Sequence, residues 1–113
     1  MYTGADGSFV RHAADSGAQG LVVEGVGAGN VNADVYKAIQ YALGKKIPVV
    51  ISSRVYNGAV EPIYGDLGGG KTLEDAGCIL ANNLMGTKAR LLLMLGITQY
   101  GNDITKLRKL FNN

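Results

Sequence analysis

The residues best placed to do chemistry here are Gly25, Gly27, Gly29 and Asn30, in the stretch "GVGAGN" that follows the apolar run "LVVE". Glycine lets a backbone approach a ligand closely, and a carboxamide offers two donors and an acceptor in fixed geometry. A glycine segment between an apolar strand and a helix N-terminus suits an anion or a carboxylate, because unpaired N–H groups and the helix dipole both point outward there. The glycines fall as G-x-G-x-G, not the G-x-G-x-x-G of dinucleotide-binding turns, and the second apolar run ends in "SSR" with no acid to hold a ribose. Gly65, Gly70, Lys71 and Thr72 satisfy the spacing G-x-x-x-x-G-K-[ST] of a phosphate-binding loop. That motif should follow a strand and open a substantial helix. Here it follows a long loop containing Pro62 and Tyr64, so a flexible glycine linker competes with nucleotide binding.

Other reactive side chains are few. Cys78, the single cysteine, sits in the apolar "GCIL", where a buried inert thiol is expected and not a nucleophile. One cysteine and one histidine exclude a zinc site built from those residues. His12 falls mid-helix with no partner to make it a base. Arg54 at a strand end reads as an ion-pair or packing residue, and Tyr36, Tyr41 and Tyr64 as core or interface aromatics. The net charge of +2 is too small for a nucleic-acid surface. No apolar run approaches the roughly 18 residues of a membrane span, so no membrane partner is expected. A cytoplasmic location is the expectation, although the residues themselves do not give the compartment.

The elements that position these residues follow from pattern. With 113 residues and 47% hydrophobic content, the chain suits one domain. "GSFVRHAADSG" predicts a helix capped by Asp6 or Ser8, with Phe9, Val10, Ala13 and Ala14 at helical spacing and Gly17 at its stop. "GLVVEGV" is a buried strand bounded by glycines. "NADVYKAIQYALGKK" predicts a helix capped by Asn32, with Val35, Ile39, Ala42 and Leu43 on one face. Gly44 ends it, and Lys45 and Lys46 complement the dipole. Pro48 opens the strand "PVVIS".

After a long glycine-bearing loop, Thr72 and Asp75 stand at capping-box spacing for a single helical turn, and "CILAN" is a third strand. "GTKARLLLMLGIT" is apolar nearly all round and should be well buried. The last helix, "NDITKLRKLF", turns Ile104, Leu107, Leu110 and Phe111 inward and Lys106, Arg108 and Lys109 to solvent. Alternating helices and strands specify an α/β fold, a small three-layer Rossmann-like or flavodoxin-like domain with a short parallel sheet flanked by helices. Three strands make a thin sheet. "MYT" reads as the tail of a further strand, whose loss would expose edges or leave neighbours to re-pair.

In order along nearly the whole chain, "GLVVEGVGAGNVN", "IPVVISSRVYNGAVEPIYGDLGGGKTLEDAGCIL" and "KARLLLMLGIT" resemble the C-terminal domain of bacterial-type L-asparaginases. The resemblance implies a single domain over 1–113 that lacks its first strand and the N-terminal catalytic domain. The implied activity is hydrolysis of L-asparagine to aspartate and ammonia, through a threonine nucleophile whose T-G-G-T-type motif is not in this chain. No catalytic residue is therefore expected here, and neither cofactor nor metal. The resemblance further implies that this domain packs in a homo-oligomer, dimer or tetramer, and completes the partner subunit's substrate site. Asn30 is the matching substrate-binding residue, with Gly29 beside it. Ala28 stands where some members carry a second asparagine. Some members supply a loop glutamate to the substrate amine; Glu61 and Asp66 are the acids of the long loop here, and Glu61 is the candidate. The isolated chain is expected to be inactive. A stand-alone α/β binding or oligomerisation domain is the alternative.

Overall fold

The three apolar runs bordered by glycine and proline lie side by side as strands. A computed structural model describes residues 7–25, 31–53, 70–81 and 84–112. In it, β1 (Leu21–Gly25), β2 (Val49–Ser53) and β3 (Ile79–Leu80) form one parallel sheet in the order β1-β2-β3. Leu21 lies beside Val49 and Gly25 beside Ser53, while Val50 and Ile51 face Ile79 and Leu80. The Ala81 N–H continues the β3 ladder to the Ile51 carbonyl at 2.9 Å. Among the described residues β1 and β3 each pair on one side only.

Purely parallel strands need cover on both faces, and the alternation along β2 shows how it is supplied. Val49 and Ile51 point toward α1 (Ser8–Asp15), α2 (Ala33–Gly44) and α3 (Gly70–Ala76), in a core with Ala14, Val35, Ile39 and Leu73. Val50 points the other way, toward α4 (Gly86–Tyr100) and α5 (Ile104–Phe111), with Ile79, Ala89, Leu93 and Phe111. The result is the expected three-layer α/β arrangement. Ile39, Ile51, Ile79 and Leu107 are fully buried, and truncating any of them to alanine costs about 2–5 kcal/mol.

Several local expectations hold. Asn32 caps α2, its Oδ1 accepting from the Val35 N–H at 2.8 Å. Val35, Ile39 and Ala42 are buried and Leu43 half-buried. Gly17 follows α1 with φ +91. A cap that the sequence analysis did not name is found on α5, where Asp103 accepts from the Lys106 N–H at 3.2 Å.

Others are corrected. The N-cap of α1 is Gly7, without a side-chain cap, and Ser8 is the first helical residue; Asp6 lies outside the described residues. Phe9 is 74% exposed, because α1 is eight residues long and offers its buried position to Ala14. The end of α2 at Gly44 is as expected, and the left-handed residue that follows is Lys46, φ +63. Thr72 lies inside α3, not at its start, and Asp75 pairs with Lys71 at 3.7 Å.

The largest correction concerns α4. Ala89, Leu93 and Gly96 are buried, but Leu91, Met94 and Leu95 are 57%, 51% and 69% exposed. A helix apolar all round has more apolar surface than one sheet face and α5 can cover. On α5, Lys106 and Lys109 are exposed as expected, but Arg108 is not on the wet face. Its Nη2 donates to the Gly77 and Cys78 carbonyls at 3.4 Å each, tying α5 to the turn before β3. Its Nε is buried without a hydrogen-bond partner among the described residues.

Candidate functional site

In open α/β sheets ligands bind beyond the carboxyl ends of the strands, and that end of this sheet is where the glycine segment leaves β1. The register sets Gly25 beside Ser53 and Glu24 beside Ser52. Gly25 is buried where β1 ends, and Val31, 5% exposed, is buried where the described chain resumes. Buried residues thus stand on either side of positions 26–30, and α2 begins two residues after Val31. Asp34, in the first turn of α2, accepts from the Gly7 N–H at 2.6 Å. A Cβ on Gly7 would lie 2.6 Å from the Ala38 Cβ and 2.9 Å from the Asp34 carbonyl oxygen. The α1–α2 contact therefore depends on a glycine. Gly29 and Asn30 lie outside the described residues, as do Arg54, Glu61, Tyr64 and Asp66.

Three residues that sequence reasoning passed over meet at the same end, on the α4 side. Val22 packs toward α4 and α5, so alternation along β1 sends Glu24 the same way. Its carboxylate lies over Gly86, the first residue of α4. A Cβ on Gly86 would sit 2.9 Å from the Glu24 carboxyl carbon and closer still to Oε1. A carboxylate at a helix N-terminus is stabilised by the dipole. Across the ladder, Ser52 is the one polar residue buried in the core among the described residues, fully buried, and its Oγ has no hydrogen-bond partner among them. Leaving such a group unpaired costs about 1–3 kcal/mol. Two signals pointed here: an acid closing the run "LVVE", and serine breaking the run "PVVISS".

Elsewhere the chemistry is muted. Cys78 is fully buried at the amino edge of the sheet, and burial pushes its thiol up to about 12 against the opposing influence of Arg108. It is no nucleophile at neutral pH. Asp15 is held below its ordinary value by hydrogen bonds from Lys45 (2.8 Å) and Tyr41 (2.5 Å), a surface cluster joining α1 to α2. His12 is exposed. Lys71 and Thr72 lie on α3, seven residues long, which is short of the helix a phosphate-binding loop requires. An open groove of about 560 Å³ runs between Tyr36, Gln40, Thr72 and Asp75. Another of about 540 Å³ runs between Gly20–Val22 and the Arg90–Thr98 stretch of α4. Neither reaches Gly25, Val31 or Asn32.

Residues 1–111 match the model of the glutaminase/asparaginase C-terminal domain. The chain belongs to this family. Among curated relatives, an L-asparaginase of Bacillus licheniformis is 33% identical over 91% of the chain. A probable L-asparaginase of Deinococcus radiodurans is 39% identical over 83% of the chain. A glutamyl-tRNA(Gln) amidotransferase component of Methanosarcina barkeri is 32% identical over 92% of the chain. The domain spans 32%, 28% and 24% of the length of these three relatives.

Proposed function

We propose that this domain is the C-terminal part of an L-asparaginase and completes the substrate site of a partner subunit in a homo-oligomer. The observation that carries this is the family match over residues 1–111, together with L-asparaginases among the relatives. In the proposed reaction a nucleophile on the N-terminal domain attacks the side-chain amide of asparagine and ammonia leaves. Water then cleaves the resulting acyl-enzyme. Asn30, with Gly29 beside it, binds the amino-acid end of the substrate, its amide pairing with donors and acceptors there. Glu61 is the candidate partner of the substrate amine. The proton-transfer groups and the nucleophile lie outside this chain, so the domain alone has no activity.

A second activity is supported by the relatives that are components of a glutamyl-tRNA(Gln) amidotransferase. In that case the amide hydrolysed serves transfer of ammonia to a second acceptor. Ammonia release from L-asparagine and L-glutamine, measured on the full-length protein and on residues 1–113 alone, tests both. Hydrolysis of asparagine by the full-length protein and none by the isolated domain is expected. Full turnover by residues 1–113 alone overturns the assignment. Asn30→Ala in the full-length protein should raise KM, and an unchanged KM and kcat removes Asn30 from the site.

A further inference from the structure

We propose that Glu24 is a positioning residue. Its carboxylate, seated over Gly86, fixes the carboxyl end of β1 against the N-terminus of α4 and so sets where the glycine segment starts. The catalytic part of this proposal rests on the substrate role given above to Asn30.

The placement follows from three observations. Alternation along β1 directs Val22 and Glu24 to the α4 side of the sheet, and Val22 packs there among the buried residues of α4 and α5. The N-cap of α4, Met85, supplies no side-chain cap, and the Glu24 carboxyl group fills the space a side chain on Gly86 would need, 2.9 Å from its carboxyl carbon and 3.1 Å from its Cγ. Glu24 is immediately followed by Gly25, the last residue of β1. The strand end is therefore held from the α4 face by Glu24, while Val31 enters the core on the α2 face. A glycine at position 86 is then required by the carboxylate and not by the helix. Its backbone is not among the positive-φ glycines, and alanine is the better helix former.

This separates positioning from folding. Gly86→Ala places a methyl where the carboxylate sits, and the group displaced is the end of a flexible side chain, so the helix and core survive. Glu24→Asp shortens the side chain by one methylene and withdraws the carboxylate from that methyl. The single variants, the double variant and Asn30→Ala are compared in the full-length protein by asparagine hydrolysis, thermal melting and hydrogen exchange of the peptide spanning residues 21–35.

Gly86→Ala is expected to raise KM several-fold by misplacing a binding group, with kcat within about twofold and a melting temperature that does not fall, since alanine is the better helix former. Exchange in the 21–35 peptide should rise. Glu24→Asp introduced into Gly86→Ala should recover most of both effects, which a purely structural defect at α4 would not show. Unchanged exchange in Gly86→Ala, or no recovery in the double variant, overturns the positioning role whatever Asn30→Ala does. If exchange rises and recovers while Asn30→Ala leaves KM untouched, positioning of the strand end stands and the substrate role of Asn30 falls.

Discussion

Gly96 offers a sharp test of how α4 and α5 are packed, because two known effects of one substitution oppose each other there. Gly96 is buried in the interior of α4. A Cβ on it would lie 2.7 Å from the Leu107 Cδ2 and 2.7 Å from the Leu110 Cδ1. In an exposed helix interior, glycine to alanine gains about 0.8–1.0 kcal/mol of helix propensity. Forcing a methyl into a packed interface costs about 1–3 kcal/mol. Leu110 is half-buried and can swing aside, but Leu107 is fully buried with no free direction. The overpacking cost therefore wins, and Gly96→Ala should destabilise by about 1 kcal/mol. Gly44 is the internal control: it is the last residue of α2, outside the left-handed region, and an added Cβ meets nothing within 4 Å. Gly44→Ala should stabilise by about 0.4–1 kcal/mol, in part by restricting the unfolded chain. Urea denaturation followed by far-ultraviolet circular dichroism measures both. The two variants should move the midpoint in opposite directions. Equal stabilisation by both would show that α4 and α5 do not approach as described.

Two further outcomes test the fold. Cys78 should resist a thiol reagent such as DTNB at pH 8 in the native protein and react fully after denaturation, since it is fully buried and burial pushes the thiol up to about 12; rapid native labelling would contradict its buried place just before β3. Asp15 has a depressed pKa, owing first to Lys45 and then to Tyr41. Its contribution is present above the ordinary carboxylate value and disappears as pH falls through the lowered native value. The gap in melting temperature between the wild type and Asp15→Asn should thus be widest near neutral pH and close in acid, and a gap that widens in acid would refute the cluster.

Much of the architecture was legible because it rests on local rules. "LVVEG" and "VVISS" lie between glycine, lysine and proline signals and carry the near-continuous apolar character of strands buried on both faces. Asn32 announces α2 because a side-chain oxygen at that position is the commonest way to satisfy a free N–H of the first turn. The order of elements was enough to specify a parallel sheet with helices on both faces. At the candidate site the sequence pointed to Asn30, Gly29 and Glu61, which lie outside the described residues. It passed over Glu24, Ser52 and Gly86, whose association joins residues from β1, β2 and α4. No spacing rule links position 24 to position 86.

The sequence by itself determined the fold class, the boundaries of most helices and strands, and the family motif around Asn30, since these depend on neighbours within a few residues. Tertiary structure alone decided that Arg108 turns inward to the Gly77 and Cys78 carbonyls, although Lys106 and Lys109 on the same helix face solvent. It also decided that Leu91, Met94 and Leu95 stand open. Composition cannot say how much of an apolar helix a two-helix layer will cover. The same holds for Gly86, where the Glu24 carboxylate of another strand fills the space over α4. Each of these depends on which distant segment arrives at a given surface, and that is fixed by the packing of the whole chain.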